Sequence, residues 1–175
     1  MTKHHKSVSV NSKMFTSSNG KAAIAKDEGF SSHPYNDQAK HCTVGTGILI
    51  HKGPCTPAEL KKTYDTDVLS KTFQSRLSEA QGYVAHYVSH QKLSQAEFDA
   101  LTSFVFNVGV GHAKNTLSLV NTGEKAKAAN EMDKFINVKT KDKKGKIHVL
   151  KSNGLIHRRT RETAPFHPVK PPKHK

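Results

Sequence analysis

Tryptophan is absent from this 175-residue chain, and acidic residues are scarce. Fourteen Asp and Glu stand against 28 Lys and Arg, a formal net charge of +14. No stretch approaches the ~20 consecutive apolar residues of a membrane-spanning helix, so membrane insertion is not expected. Met1 to Asn19 is polar and lacks the apolar stretch of about 7–15 residues in a secretory signal, which implies synthesis in the cytoplasm. Cysteine occurs only at Cys42 and Cys55, in neither a CxxC pair nor a zinc-ligand pattern. The twelve histidines are scattered, and local pairs such as His4-His5 lack partners at ligand spacing. Neither a metal nor another cofactor is expected.

Cation is what the chain has in excess, and it is unevenly placed. Residues 138–175 hold twelve Lys or Arg against Asp142 and Glu162, a net of +10, whereas residues 1–137 carry only +4. Such a basic third attracts polyanions, among them nucleic acid, anionic head groups and acidic wall polymers. No nucleic-acid recognition motif accompanies it, and its cations are mostly lysines with few aromatics between them, so specific nucleic-acid binding is not expected. Apolar residues make up only 34%, which is low for a packed chain. Residues 1–17 read as a disordered basic segment, and the Pro-Lys-rich residues 167–175 as a disordered basic tail.

Between these ends the pattern is mostly helical. Lys21 to Glu28 forms a short helix pattern stopped by Gly29. From about residue 30 to 55, Pro34, Asn36-Asp37 and several glycines punctuate short β-prone pieces, which predicts a small antiparallel sheet. Thr56-Pro57-Ala58-Glu59 has the form of a capping box. It is expected to open a long helix with the stripe Leu69, Phe73, Leu77, Ala80, Val84 and Val88. A second box, Ser94-Gln95-Ala96-Glu97, opens another helix ending at Gly109, and shorter helices are expected over 113–121, 124–136 and 155–163. Residues 139–153 are too charged for a core and predict an exposed loop or hairpin. The class is α+β, mostly helical, with one small sheet in an N-terminal lobe. The catalytic portion is expected to span 18–166, with its helical part from about 56.

Glu28 and Asp37 are the only carboxylates between residues 28 and 58, and Thr43 follows Asp37 by six positions. Two carboxyl groups on different elements facing one cleft are what glycoside hydrolysis needs: one protonates the leaving oxygen, and the other activates water or attacks the sugar. A neighbouring hydroxyl can orient that water. Spacing alone identifies nothing, because short patterns recur by chance.

The surroundings of these residues carry more. Glu28-Gly29-Phe30, Pro34-Tyr35-Asn36-Asp37 and Thr43-Val44-Gly45-Thr46-Gly47 resemble the active-site segment of phage-type lysozymes, glycoside hydrolase family 24. The segment Phe98 to Gly109 resembles that family's long central helix, and Gly154 to Glu162 its C-terminal helix with paired arginines. The resemblance implies a lysozyme-like fold and a muramidase acting on peptidoglycan in the periplasm. It makes Glu28 the general acid, Asp37 the general base or charge stabiliser, and Thr43 the holder of the water. It further implies that Leu49, Phe106 and Thr116 line the glycan cleft. Two positions depart from or add to the pattern: Ile48 stands where many relatives have His or Thr, and Cys42 directly precedes Thr43. Cys42 is either an inert small residue or half of a redox latch with Cys55. Cytoplasmic synthesis disfavours a bridge before export. The expected state is a monomer. A holin or a secretion system would supply export, and an immunity protein would be a partner if the chain served as an antibacterial effector. The alternatives are a catalytically weak peptidoglycan-binding protein on the same fold, and a nucleic-acid binder supported by charge alone.

Overall fold

The most apolar helix lies at the centre of the molecule. In the computed structural model, which describes residues 8–29, 31–142 and 145–167, chain order begins with α1 (Ser18–Glu28), β1 (Ser31–Asn36), β2 (Cys42–Gly45) and β3 (Ile48–His51). There follow α2 (Thr66–Tyr87), α3 (Gln95–Val108), α4 (Val110–Asn121), α5 (Lys125–Met132), β4 (Asn137–Lys141), β5 (Ile147–Lys151) and α6 (Asn153–Thr163). Helix α3 buries Phe98 and every residue from Ala100 to Phe106. A helix buried on so many sides must be packed on several faces, and α3 contacts α1, α2, α4 and α6. Ile24, Leu77, Val84, Phe104, Leu117 and Met132 complete the core around it.

The Ser94–Glu97 capping box opens α3 as the sequence predicts, with the Ser94 hydroxyl on the Glu97 amide and the Glu97 carboxylate on the Ser94 amide. The Thr56–Glu59 box also forms, with Thr56 N donating to Glu59 Oε2 at 2.7 Å. Only a single 3-10 turn, Glu59–Lys61, follows it, and the long helix has its N-cap at Asp65, nine residues after Thr56. The cause is local. Tyr64 N donates to Ser32 O at 2.8 Å, which draws the chain onto the edge of β1, and Leu60 stays exposed, so no buried stripe sustains the first turn.

The first sheet has the order β1-β2-β3, antiparallel throughout. The charged stretch 139–153, read as a loop or hairpin, takes the second form: β4 and β5 pair antiparallel as a two-stranded sheet, with Lys139 opposite Val149 and Lys141 opposite Ile147. No helix among the described residues is long and apolar enough to cross a membrane.

The expectation of disorder through residue 17 is corrected from residue 8 onward. Asn11 is fully buried. Its Nδ2 donates to Val88 O at 2.6 Å and Gln91 O at 2.8 Å, and its Oδ1 accepts from Leu93 N at 3.1 Å. One amide thereby satisfies the turn between α2 and α3, a contact invisible to composition. Met14 packs on the core, and Thr16 N donates to Gln81 Oε1. The expected tail at 167–175 lies outside the described residues from 168 on. Asn11→Ala removes three hydrogen bonds to backbone, two of them buried, and leaves Val88 O only the Ser9 hydroxyl, so stability is expected to fall by about 2–3 kcal/mol. For a chain of this length that lowers the melting temperature by roughly 5–10 °C in a thermal scan followed by circular dichroism.

Candidate active site

Helix α1 delivers Glu28 as its last residue. The Ser17 hydroxyl caps its N-terminus, and Gly29 ends it at φ +60°, a left-handed conformation that glycine adopts without a Cβ penalty. The Glu28 side chain is 15% exposed and accepts from Arg158 Nη1 at 2.6 Å. Arg158, nearly buried on α6, also donates through Nε to Glu162 Oε1 at 2.9 Å and through Nη2 to Ser103 O at 3.0 Å. Arg159 Nη1 stands 2.6 Å from the other Glu162 oxygen, with its guanidinium over the Phe104 ring, and Arg161 pairs with Asp27. The catalytic-acid candidate is thus anchored through a buried ion network to α3 and α6.

Asp37 sits in the β1–β2 turn. Its Oδ1 accepts from His41 N at 2.8 Å and its own N–H donates to His41 O at 3.0 Å, so the turn fixes the carboxylate from both directions. Thr43, on β2, is buried. Its hydroxyl oxygen lies 3.4 Å from Asp37 Oδ2 and 3.1 Å from His41 O. A hydroxyl has one proton to donate and lone pairs left to accept. Tyr35, two residues before Asp37, senses both carboxylates: burial first, then the charges of Asp37 and Glu28, push its phenol above the ordinary value.

The sheet that carries these groups is braced at two points. Gly45 has φ +66°, and a Cβ there would stand 3.1 Å from Leu69 Cδ2, so the β2 end approaches α2 closely. Cys42 and Cys55 form a disulfide, which resolves the question left open by the sequence. Cys42 N also donates to Gly53 O at 2.8 Å, and Cys55 N to Asn36 Oδ1 at 2.7 Å. The loop after β3 is thereby clamped to both flanks of the Asp37 turn. Cys42, His51 and Glu59 bring potential metal-binding atoms together, but the Cys42 sulfur is committed to Cys55, and His51 Nε2 is hydrogen-bonded to Glu59 at 3.0 Å.

A cleft of about 730 Å3 opens beside this cluster, walled by Asp27, Glu28, Arg158, Gln38, Phe135 and the start of β4. Asp37, the residue before Gln38, and its neighbour Thr43 are not among the residues that wall this cleft. Of the three residues expected to contact a glycan, only Leu49 presents a half-exposed side chain, and its backbone pairs opposite Thr43. Phe106 and Thr116, also expected to line the glycan cleft, are 6% and 1% exposed and fall on helix faces turned inward. Phe106 packs on Phe73 and beneath Arg76, and reaches only the wall of a separate hollow of about 310 Å3. Arg158 and Tyr35 were within quoted motifs but received no role. The signal that could have found Arg158 was its i,i+4 spacing to Glu162, a buried pairing on one helix face.

Comparisons with known proteins follow the same geometry. The phage lysozyme family description matches residues 25–162, a span that contains Glu28, Asp37, Thr43 and Arg158. An endolysin of Bacillus phage B103 is 40% identical over 76 residues, which are 42% of this chain and 26% of that protein; the chain spans about a quarter of the length of this relative. Among solved structures, an endolysin from Escherichia coli O157:H7 phage FAHEc1 superposes with a TM-score of 0.69 at 27% identity, covering 92% of this chain and 98% of the other. The muramidase domain of SpmX from Asticaccaulis excentricus gives 0.63 at 26% identity, covering 89% and 98%. The fold is lysozyme-like, and the chain belongs to the phage lysozyme family.

Proposed function

We propose that this chain is a muramidase that hydrolyses the β-1,4 bond between N-acetylmuramic acid and N-acetylglucosamine in peptidoglycan. The observation that supports the reading is Glu28, held by Arg158 at the wall of a cleft that Gln38 also lines, with Asp37 directly before Gln38 and its Oδ2 3.4 Å from the Thr43 hydroxyl. In this reading Glu28 acts as the general acid and passes a proton to the leaving glycosidic oxygen. Thr43 and Asp37 hold a water against the opposite face of the sugar, and Asp37 takes the water's proton as the new bond forms. Single displacement of that kind inverts the anomeric carbon, and it needs room for one water, with carboxyl groups ~6.5–9.5 Å apart. The basic surface raises encounter with a wall mesh rich in carboxylates.

Release of reducing ends from purified sacculi tests the activity, and proton NMR of the first-formed product from a soluble glycan tests the route. The α-anomer is expected first. A β-anomer would make Asp37 a nucleophile and remove the water-holding role of Thr43. Thr43→Val, close in shape, is expected to cost about tenfold or more in rate while leaving the melting temperature within a few degrees.

A further inference from the structure

Gln38 and Lys139 line the catalytic cleft and also line a second hollow of about 550 Å3, so the two cavities share walls. On one side of this hollow is the β1–β2 turn, bearing Lys40 and His41. On the other stands the β4–β5 hairpin, bearing Lys139, Lys141 and the half-exposed Ile147. The hairpin register puts Lys141 opposite Ile147, and strand alternation places Lys139 on the same face. The ammonium groups of Lys40, Lys139 and Lys141 form no ion pair among the described residues. Asp142, the carboxylate in the hollow, is already engaged by His148 Nε2 at 3.0 Å and by Lys146 N at 2.9 Å. The hollow therefore offers a positive excess and the aliphatic side chains of Ile147 and Ala39, and it shares walls with the cleft that Glu28 lines.

We propose that this hollow is a subsite for the acidic peptide stem of the wall substrate, a short peptide with free carboxylates and small aliphatic side chains. The inference rests on the muramidase reading and goes beyond it. The stem is covalently attached to the muramic acid that must sit between Glu28 and Asp37, so it leaves the cleft within one sugar's width. The shared walls at Gln38 and Lys139 give it an exit lined by ammonium groups, and Ile147 offers contact to alanine methyls. Carboxylate–ammonium complementarity at such a rim sets specificity and encounter more than raw affinity. The β4–β5 hairpin then reads the peptide while the first sheet and α1 act on the glycan.

The test compares two charge-neutralising pairs on two substrates. Lys40→Asn with Lys141→Gln removes two cations from the hollow; asparagine is chosen because Lys40 stands at φ +58°, which asparagine tolerates. Lys71→Gln with Lys92→Gln removes the same charge from exposed positions outside both cavities. Reducing-end release is measured on peptide-bearing sacculi and on glycan strands freed of stems by an amidase. The hollow pair is expected to lose about tenfold on sacculi and less than about twofold on stripped strands, with the control pair near wild type on both. Equal losses by the two pairs on sacculi would show a whole-surface charge effect and overturn the stem site, as would an unchanged hollow pair. The comparison of pairs on sacculi decides even where stripped glycan is a poor substrate. A wild type inactive on both substrates sinks the muramidase reading itself, whereas an active wild type with indistinguishable pairs sinks the stem site alone.

Discussion

Glu28→Gln is expected to lower reducing-end release from sacculi by ~10²–10⁴-fold, the usual contribution of a positioned acid or base. The substitution keeps the side-chain shape, and its carbonyl oxygen can still accept from Arg158 Nη1, so the geometry at the end of α1 persists. What disappears is the transferable proton. Because the side chain is 15% exposed and its partner Arg158 keeps Glu162 and Ser103 O, the folded state should survive, with circular dichroism and melting close to wild type. Activity within about threefold of wild type would remove Glu28 from the role of acid.

Arg158→Met is expected to give the largest loss of stability, about 3–5 kcal/mol, the typical cost of deleting one partner from a buried ion network. Methionine matches the stem of the arginine but leaves Glu162, 2% exposed, with Arg159 as its remaining cation, and leaves Ser103 O without its guanidinium donor. A fall of roughly 10–15 °C in melting temperature follows at this chain length. Activity measured below the transition should also drop, by about tenfold or more, since Glu28 loses the donor that orients it and misplacement of a catalytic group is costly. Arg158→Lys retains charge without the planar fork and should recover part of the stability but little of the orientation. A melting temperature within about 2 °C of wild type for the methionine variant would show the network to be energetically neutral.

The two predictions draw on features of different legibility. Glu28, Asp37 and Thr43 could be proposed together because they sit close in sequence, inside segments whose residues resemble the family's. Helices α2 and α3 were readable because their apolar stripes have helical period. The start of α2 was not, since the Thr56 box is locally complete and only the long-range Tyr64–Ser32 hydrogen bond ends its turn. Asn11 was equally opaque: a polar residue in a basic, polar stretch carries no sign that three backbone groups about 80 positions away depend on it. Phe106 and Thr116 rest on the resemblance alone, and both lie on helix faces turned inward. The disulfide is a matter of geometry, and two cysteines thirteen positions apart say nothing of whether their strand and loop meet.

The contact between Glu28 and Arg158 spans 130 positions, and that separation orders events during synthesis. Residues 28 to 43 emerge from the ribosome early and can fold locally, yet the donor that holds the acid is on α6, the last helix of the described chain. A ribosome-bound chain shorter than about residue 158 carries every group assigned to the chemistry but lacks the guanidinium that aims one of them. Closing so long a loop also costs entropy that only the completed core repays. On the muramidase reading, competence therefore waits until Arg158 has emerged and α6 has packed, rather than growing gradually with the sheet, and a protease that clips off α6 would remove the donor that holds Glu28 without touching Glu28, Asp37 or Thr43.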